Sequence, residues 1–501
     1  MTGNSSTQRW ASAIYCDQAY NLTRCPFFCL LYYMLHDKDL IRWFSLFFFL
    51  STASVQAQQD NDNNYLDSLK NWSLHFQFTT IAQSHARFNG AGYNGLNTLS
   101  DQPDTALSVT TTLFLGRRLW RGAAVYVNPE LAGGRGVGHR NSQSPNDESL
   151  YAPAVGIAGF PNGETFRIGS ARPALYIARF YIEQIIPLGR SGSKDAQSGV
   201  NQVEEPIPSS RIVLTAGKIS IADMFDNNTY AHDPRSQFFN WSLMNMGAWD
   251  YPANTRGYTW SFVAEYIRPT YAVRAAASLM PIRANGNVLD WNINKANALT
   301  LELEHNFNLL RLPGTVRLLA FRNVTKAPTY AFATQLLQTG VYPSDPPYIL
   351  TGTNYGGVKY GFGLNVEQPL GEMGGIFGRI SWNNGKTATW AFTEIDRSFT
   401  LGAYIGGSRW HRTEDAVGVA VAQNGISSQH AAFLNAGGSG FMLGDGSLPN
   451  YKPENIIELF YKARLAHTLY LTLDYQLVQH PAYNSDRGSV NLFALRTHVE
   501  F

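Results

Sequence analysis

Downstream of about residue 70, apolar and polar positions alternate with a period of two. At the C-terminal end Phe493, Leu495, Val499 and Phe501 share one parity, interrupted only by Thr497, while Ala494, Arg496, His498 and Glu500 take the other. Successive side chains of an extended strand point to opposite faces, so this pattern predicts a strand with one apolar and one polar face. The preceding run repeats it, with Leu469, Leu471, Leu473, Tyr475 and Leu477 against Tyr470, Thr472, Asp474 and Gln476. Before that, Ile457, Leu459, Tyr461, Ala463 and Leu465 oppose Glu458, Phe460, Lys462 and Arg464. Similar segments lie at about 70–82, 105–117, 119–131, 174–187, 210–218, 257–268, 271–281, 297–308, 314–323, 357–368, 374–383, 398–407 and 416–424. With the last three they predict sixteen strands. Their length of about 9 to 14 residues suits tilted strands that cross a bilayer, and exceeds what globular sheets use.

The connections carry a second signal. Those after even-numbered strands are mostly short, such as Gly116 to Gly122, Arg268 to Tyr271, Leu309 to Pro313, Pro369 to Met373 and Ala466 to His467. Those after odd-numbered strands, near 83–104, 132–173, 219–256, 324–356 and 425–454, are long and rich in Gly, Pro, Asn, Asp and Ser. Short turns on one rim and long loops on the other predict an all-β, transmembrane antiparallel β-barrel of about sixteen strands, with long extracellular loops and short periplasmic turns. The segment 188–209 breaks the rule and reads as a flexible periplasmic excursion. Trp72, Trp120, Tyr258, Trp382 and Trp410 at strand ends fit interfacial girdles.

Composition supports this class. Of 501 residues, 44% are hydrophobic and only 15% charged, with 39 Lys and Arg against 37 Asp and Glu. That balance argues against a disordered chain, a coiled coil or a basic nucleic-acid binder. No uninterrupted apolar stretch reaches the length of a helical span. Residues 1–57 read as a signal peptide, with Lys38 and Arg42 before the apolar run Trp43 to Leu50 and cleavage after Ala57. Met34 makes a better-proportioned start, so 1–33 is expected to be a mis-called start; 58–69 follows as a periplasmic leader and 70–501 as the barrel. Cys16, Cys25 and Cys29 all lie in the segment to be removed, which leaves no disulfide, thiol nucleophile or thiolate metal site in the exported chain.

Inside such a barrel, alternation assigns Arg179, Arg274, Arg317, Lys359, Arg379, Lys462, Arg464 and Arg496 to the lumen. The same parity places Glu183, Glu265, Glu302, Glu304, Glu367, Glu458 and Asp474 there, eight bases to seven acids. Opposed guanidinium donors and carboxylate acceptors can bracket a polyol without imposing net charge, and equally can be structural ion pairs. The loop 219–256 mixes Phe225, Trp241, Trp249 and Tyr251 with Asp223, Asp226, Asp233, Arg235 and Asp250. Folded inward it forms a constriction, with Trp241, Trp249 and Tyr251 as candidates to stack on a sugar ring or to pack the loop against itself. No HExxH, GxSxG or phosphate-binding loop occurs, and His232, His430 and His480 lack partners at metal-ligand spacing, so neither enzyme, metal nor cofactor is expected.

Several motifs resemble the carbohydrate-selective porins of OprB type. They are Asp223-Met224-Phe225-Asp226-Asn227-Asn228, Tyr230-Ala231-His232-Asp233-Pro234-Arg235, Gly247-Ala248-Trp249-Asp250-Tyr251-Pro252-Ala253 and Thr255-Arg256-Gly257-Tyr258. Ala391 to Ser398, Ala436-Gly437-Gly438, Gly444-Asp445-Gly446, Pro481-Ala482-Tyr483-Asn484 and Asp486-Arg487-Gly488 extend the resemblance from about Trp72 to Phe501. It implies a sixteen-stranded outer-membrane barrel through which glucose and other neutral sugars diffuse. Monosaccharides or small oligosaccharides and outer-membrane lipid are then the expected partners, with monomer and trimer both open. The alternatives in the sequence are a general or organic-acid-selective channel and, further off, a barrel-borne enzyme or adhesin.

Overall fold

The computed structural model describes residues 71–501, apart from 140–151, 153, 170–172, 190–191, 310 and 341–353. The expected signal peptide and leader lie outside these residues. The strands are β1 (Trp72–His85), β2 (Asp104–Trp120), β3 (Ala123–Gly134), β4 (Ala174–Pro187), β5 (Ser193–Ala196), β6 (Glu205–Pro208), β7 (Arg211–Ile219), β8 (Thr259–Ile267), β9 (Tyr271–Ser278) and β10 (Met280–Pro281). There follow β11 (Leu289–Asp290), β12 (Asn297–Leu309), β13 (Leu312–Thr325), β14 (Gly357–Pro369), β15 (Gly374–Asn383), β16 (Arg397–Gly406), β17 (Ala416–Gly425), β18 (Glu454–Ala466), β19 (Leu469–Gln479) and β20 (Val490–Glu500).

All but β5, β6, β10 and β11 join in one closed antiparallel barrel of sixteen strands. Closure is made by β1 against β20, from Gln77 opposite Glu500 to His85 opposite Leu492. It leaves no barrel edge with unpaired amides, which hydrocarbon would penalise heavily. The two-residue period then decides which way each side chain faces. In β12, Leu299, Leu301 and Leu303 are 45–50% exposed on the outside, while Thr300 and Glu302 between them are buried inside. A one-residue slip of register would reverse every such pair.

Local departures have backbone causes. The ladder between β3 and β4 slips between Asn128 and Pro129, where proline has no N–H to donate, and the slip leaves Tyr176 and Arg179 both on the inner face. The segment expected to run as one strand from 271 to 281 stops at Ser278, and Met280–Pro281 turns away to pair with β11. The expected flexible excursion at 188–209 instead contains the β5–β6 hairpin. Its tip enters the turn-side mouth of the barrel: Ser73 Oγ donates to the Gly199 carbonyl at 2.9 Å, and the Val203 N–H donates to Tyr126 Oη at 3.4 Å. Of the expected girdle residues, Trp72, Trp120 and Trp382 are exposed on the outer surface. Tyr258 is completely buried, so it belongs to the interior.

The long loops fold back into the barrel. Inner-face glycines make room for them: a Cβ at Gly363 would collide with Met246 Sδ, and one at Gly375 with the Tyr230 ring. The loop 220–258 therefore lies against the wall at positions where the wall has no side chain. Two short helices, α1 (Tyr330–Gln338) and α2 (Ser428–Asn435), cap the loop rim, their first turns closed by the hydroxyls of Thr329 and Ser427.

Candidate functional site: a loop-lined constriction

The wall holds the infolded loop by its backbone. Glu302 accepts from the Asp226 N–H at 2.7 Å, Glu367 from Thr229 at 2.6 Å, and Glu458 from Phe239 and Asn240 at 2.6 and 2.9 Å. Arg379 donates to the carbonyls of Ala231 and Leu243 at 2.7 and 2.9 Å and to Asp226 Oδ1 at 3.0 Å. Arg496 donates to the carbonyls of Pro234 and Gln237 at 2.9 and 2.8 Å. A loop buried inside a barrel carries backbone groups that no ladder satisfies, and ionised side chains satisfy them with the strongest ordinary hydrogen bonds. The inward direction expected of Glu302, Arg379, Glu458 and Arg496 is therefore correct. Loop backbone engages each of the four and covers them from the lumen.

The loop aromatics pack among themselves. Trp241, Trp249 and Tyr251 are at most 1% exposed. Trp241 stacks between Phe160 and Tyr251, with ring centroids 4.9 and 5.5 Å away, and Tyr251 lies 4.9 Å from Phe392. Asp250 ties this knot to the neighbouring loop by accepting from the N–H groups of Trp390, Ala391 and Phe392 at 2.9–3.2 Å. The faces of all three rings are enclosed by protein.

Beside the knot lies a charged cluster drawn from β3, β4 and two loops. Arg235 bridges Glu130 and Glu164, each at 3.0 Å, and Arg167 pairs with Glu164 at 2.8 Å. Arg179 makes a two-pronged contact with Asp223, both bonds 2.6 Å. Tyr258 donates to Glu130 at 3.0 Å, and the Arg256 guanidinium lies 4.2 Å from the centre of the Tyr176 ring. Burial alone would raise the Glu164 carboxyl, but Arg167 and Arg235 outweigh it and hold it below the ordinary carboxylate range. The cluster sets four arginines (167, 179, 235 and 256) against three carboxylates (130, 164 and 223). Among the latter, Asp223 is accessible, its side chain 33% exposed. Arg256 and Tyr176 are half-buried, and Arg256 also donates to the Arg167 carbonyl at 2.9 Å, so its remaining N–H groups and the Asp223 carboxylate are partly accessible beside a fixed ionic frame.

Toward the turn rim the inner-wall charges divide into paired and unpaired groups. Arg274 bridges Glu265, Glu302 and Glu304 at 2.8–3.0 Å, and Arg317 links Glu304 to Glu367 at 2.9 and 3.2 Å. Lys359, nearer the loop rim, is buried beside Asp396 at 3.6 Å. Asp474 is also buried and accepts from the Gln476 amide at 2.9 Å. Arg464 donates to the His467 carbonyl at 2.8 Å and stands 3.6 Å from Glu414. Of the expected lumen charges, Glu183 and Lys462 have no hydrogen bond or ion pair among the described residues, and Lys462 lies 5.9 and 5.4 Å from the rings of Tyr404 and Tyr470.

The sequence reading did not single out Glu130, Glu164, Arg167 or Arg256 as site residues. Glu130 shares the inward parity of Tyr126 and Asn128, so alternation through Pro129 would have found it. Glu164 and Arg167 sit three apart in a short 3-10 turn within a loop that has no period to read.

A closed sixteen-strand barrel with short turns on one rim, long loops on the other and a loop clamped inside a charged lumen has the architecture of an outer-membrane porin. The family model described as carbohydrate-selective porin, OprB family, matches residues 97–501, and the chain belongs to that family. The solved high-pH structure of Pseudomonas putida OprB shares the fold, with a TM-score of 0.61 and 16% identity over 87% of this chain and 96% of that one. Its low-pH structure gives a TM-score of 0.45 and 12% identity over 87% and 94%. Porin AaxA of Chlamydia pneumoniae is 28% identical over 139 residues, a match that spans 28% of each protein.

Proposed function

We propose that this outer-membrane porin passes neutral monosaccharides, glucose among them, through the constriction beside Tyr258. The observation that carries the reading is the cluster of four arginines and three carboxylates, whose members hold one another in place and leave Asp223, Arg256 and Tyr176 partly accessible to the path. A neutral polyol needs donors and acceptors at fixed spacing to replace its water. It gains nothing from net charge, and weak contacts at several places let it leave. Arg274, Arg317, Glu183, Glu265, Glu304, Lys462 and Arg464 extend the same mixed lining toward the exit.

A second reading, a channel for organic anions, draws on Arg256, which has no carboxylate partner among the described residues. Solute influx into proteoliposomes separates the two. Glucose entering faster than a neutral non-sugar of similar size and faster than gluconate supports the sugar channel; gluconate entering fastest supports the anion channel. Equal rates for all three reduce the protein to a sieve.

A further inference from the structure

The end of β2 and its turn into β3 read Gly116-Arg117-Arg118-Leu119-Trp120-Arg121-Gly122, three arginines and no acid in seven residues. This segment forms one side of a cleft of about 940 Å³ at the turn rim, with Trp72 and the β6 residue Glu205 on the other sides. Trp72 and Trp120 are 46% and 57% exposed, and the Arg117 guanidinium lies 4.8 Å from the Trp72 ring centre. Arg117 and Arg121 are exposed, and their guanidinium groups have no ion-pair or hydrogen-bond partner among the described residues. Arg118 lines the same cleft, and its Nε is buried without a partner.

Three arginines elsewhere on this rim are engaged. Arg268 donates to Tyr266 Oη at 2.8 Å, Arg412 pairs with Asp415, and Arg464 stands beside Glu414. The end of β2 and its turn into β3 therefore concentrate unpaired guanidinium groups at one point of the barrel's circumference. That point lies at the depth where tryptophans mark the boundary between acyl chains and headgroups. Next to it Leu119 and Ile186 are about 40% exposed, as side chains facing lipid are. Glu205 supplies one carboxylate against three guanidinium groups, so the cleft keeps an excess of positive charge.

The geometry points to a binding site for the phosphate of an anionic glycerophospholipid of the periplasmic leaflet, held by Arg117 and Arg121. A guanidinium presents paired donors that match a phosphate diester, and the neighbouring apolar side chains meet the first methylenes of the acyl chains. Trp72 and Trp120 frame the headgroup, and the cleft fixes where on the barrel this lipid sits. The site is independent of what passes through the lumen.

The test is native mass spectrometry of the full chain, released from detergent micelles carrying phosphatidylglycerol, with and without an excess of inorganic phosphate. Retention of one lipid that falls roughly tenfold or more in R117Q/R121Q is expected, since each interfacial arginine contributes about a factor of five. R268Q, which alters another turn of the same rim, is expected to retain lipid as the unaltered chain does. Heat-modifiable gel migration verifies that each variant is a folded barrel. Equal retention in R117Q/R121Q overturns the site, and so does an equal loss in R268Q. Displacement of the lipid by phosphate at comparable concentration also overturns it, since the cleft would then be a general anion site.

Discussion

Replacing Arg379 by Met tests whether the wall clamps hold the constriction shut. The arginine is almost fully buried and ties three points of the loop, Asp226, Ala231 and Leu243, to β15 by three bonds of 2.7–3.0 Å. Hydrogen bonds to a charged group contribute about 1.5–3 kcal/mol each, but they are not additive, and methionine recovers some packing. Breaking one side of a buried ion pair costs about 3–5 kcal/mol, because Asp226 is left uncompensated. That shifts the balance between seated and released loop roughly a hundred- to several-thousand-fold toward release. Single-channel recordings should show larger conductance with frequent flicker, and liposome influx should lose its preference for glucose, while the barrel still migrates as a folded species. R379M/D226N should recover part of the closure, since it removes the orphaned charge. If R379M conducts and selects as the unaltered chain does, the clamp is not what positions the loop.

Other outcomes follow from the same geometry. Trp241→Ala removes the centre of the aromatic knot at a cost of about 3–5 kcal/mol, and should abolish glucose preference although Trp241 is enclosed by protein; unchanged selectivity would contradict the packing role. Asp223→Asn releases Arg179 from its carboxylate and should raise gluconate influx relative to glucose. Lys462→Met removes a cation that has no partner, so reversal potentials under a salt gradient should shift toward cation preference. Burial pushes the Glu394 carboxyl up to about 7, although the N–H groups of Met442 and Leu443 oppose the shift. Its folded pKa exceeds the ordinary value near 4.5, so the native loop binds the extra proton. Packing of the loop around Leu443 should weaken as pH rises through that window. Hydrogen exchange at Met442 and Leu443, corrected for intrinsic rate, should be faster at pH 8 than at pH 5.5. E394Q should remove the difference.

The strand pattern was legible because a barrel wall in lipid obeys one rule along its whole circumference. Leu299, Leu301 and Leu303 face outward and Glu302 inward, and a one-residue slip would reverse them all. The inward direction of Arg274, Arg379, Glu458 and Arg496 followed from the same rule. What parity could not give was their partners. Glu458 and Arg379 face a loop that has no period, and whether a lumen charge meets water or a backbone amide depends on where that loop lies. The aromatic residues illustrate the same limit: Trp241 in an infolded loop stacks equally well on a sugar or on Phe160, and composition does not choose. Tyr258 reads as a strand-end aromatic, yet its hydrogen bond to Glu130 places it inside the buried ionic cluster. Arg179 reached its position beside Asp223 through a slip in the ladder at Pro129, which the alternation shows only as a break.

The most direct test of the central claim is the initial rate of labelled glucose influx into proteoliposomes, measured against glucose concentration. A site built from Asp223, Arg256 and Tyr176 predicts a rate that saturates, with saturation lost in R256M and the unlabelled sugar competing. A rate that stays proportional to concentration up to the solubility limit, in the unaltered chain and the variant alike, would contradict a sugar-binding constriction.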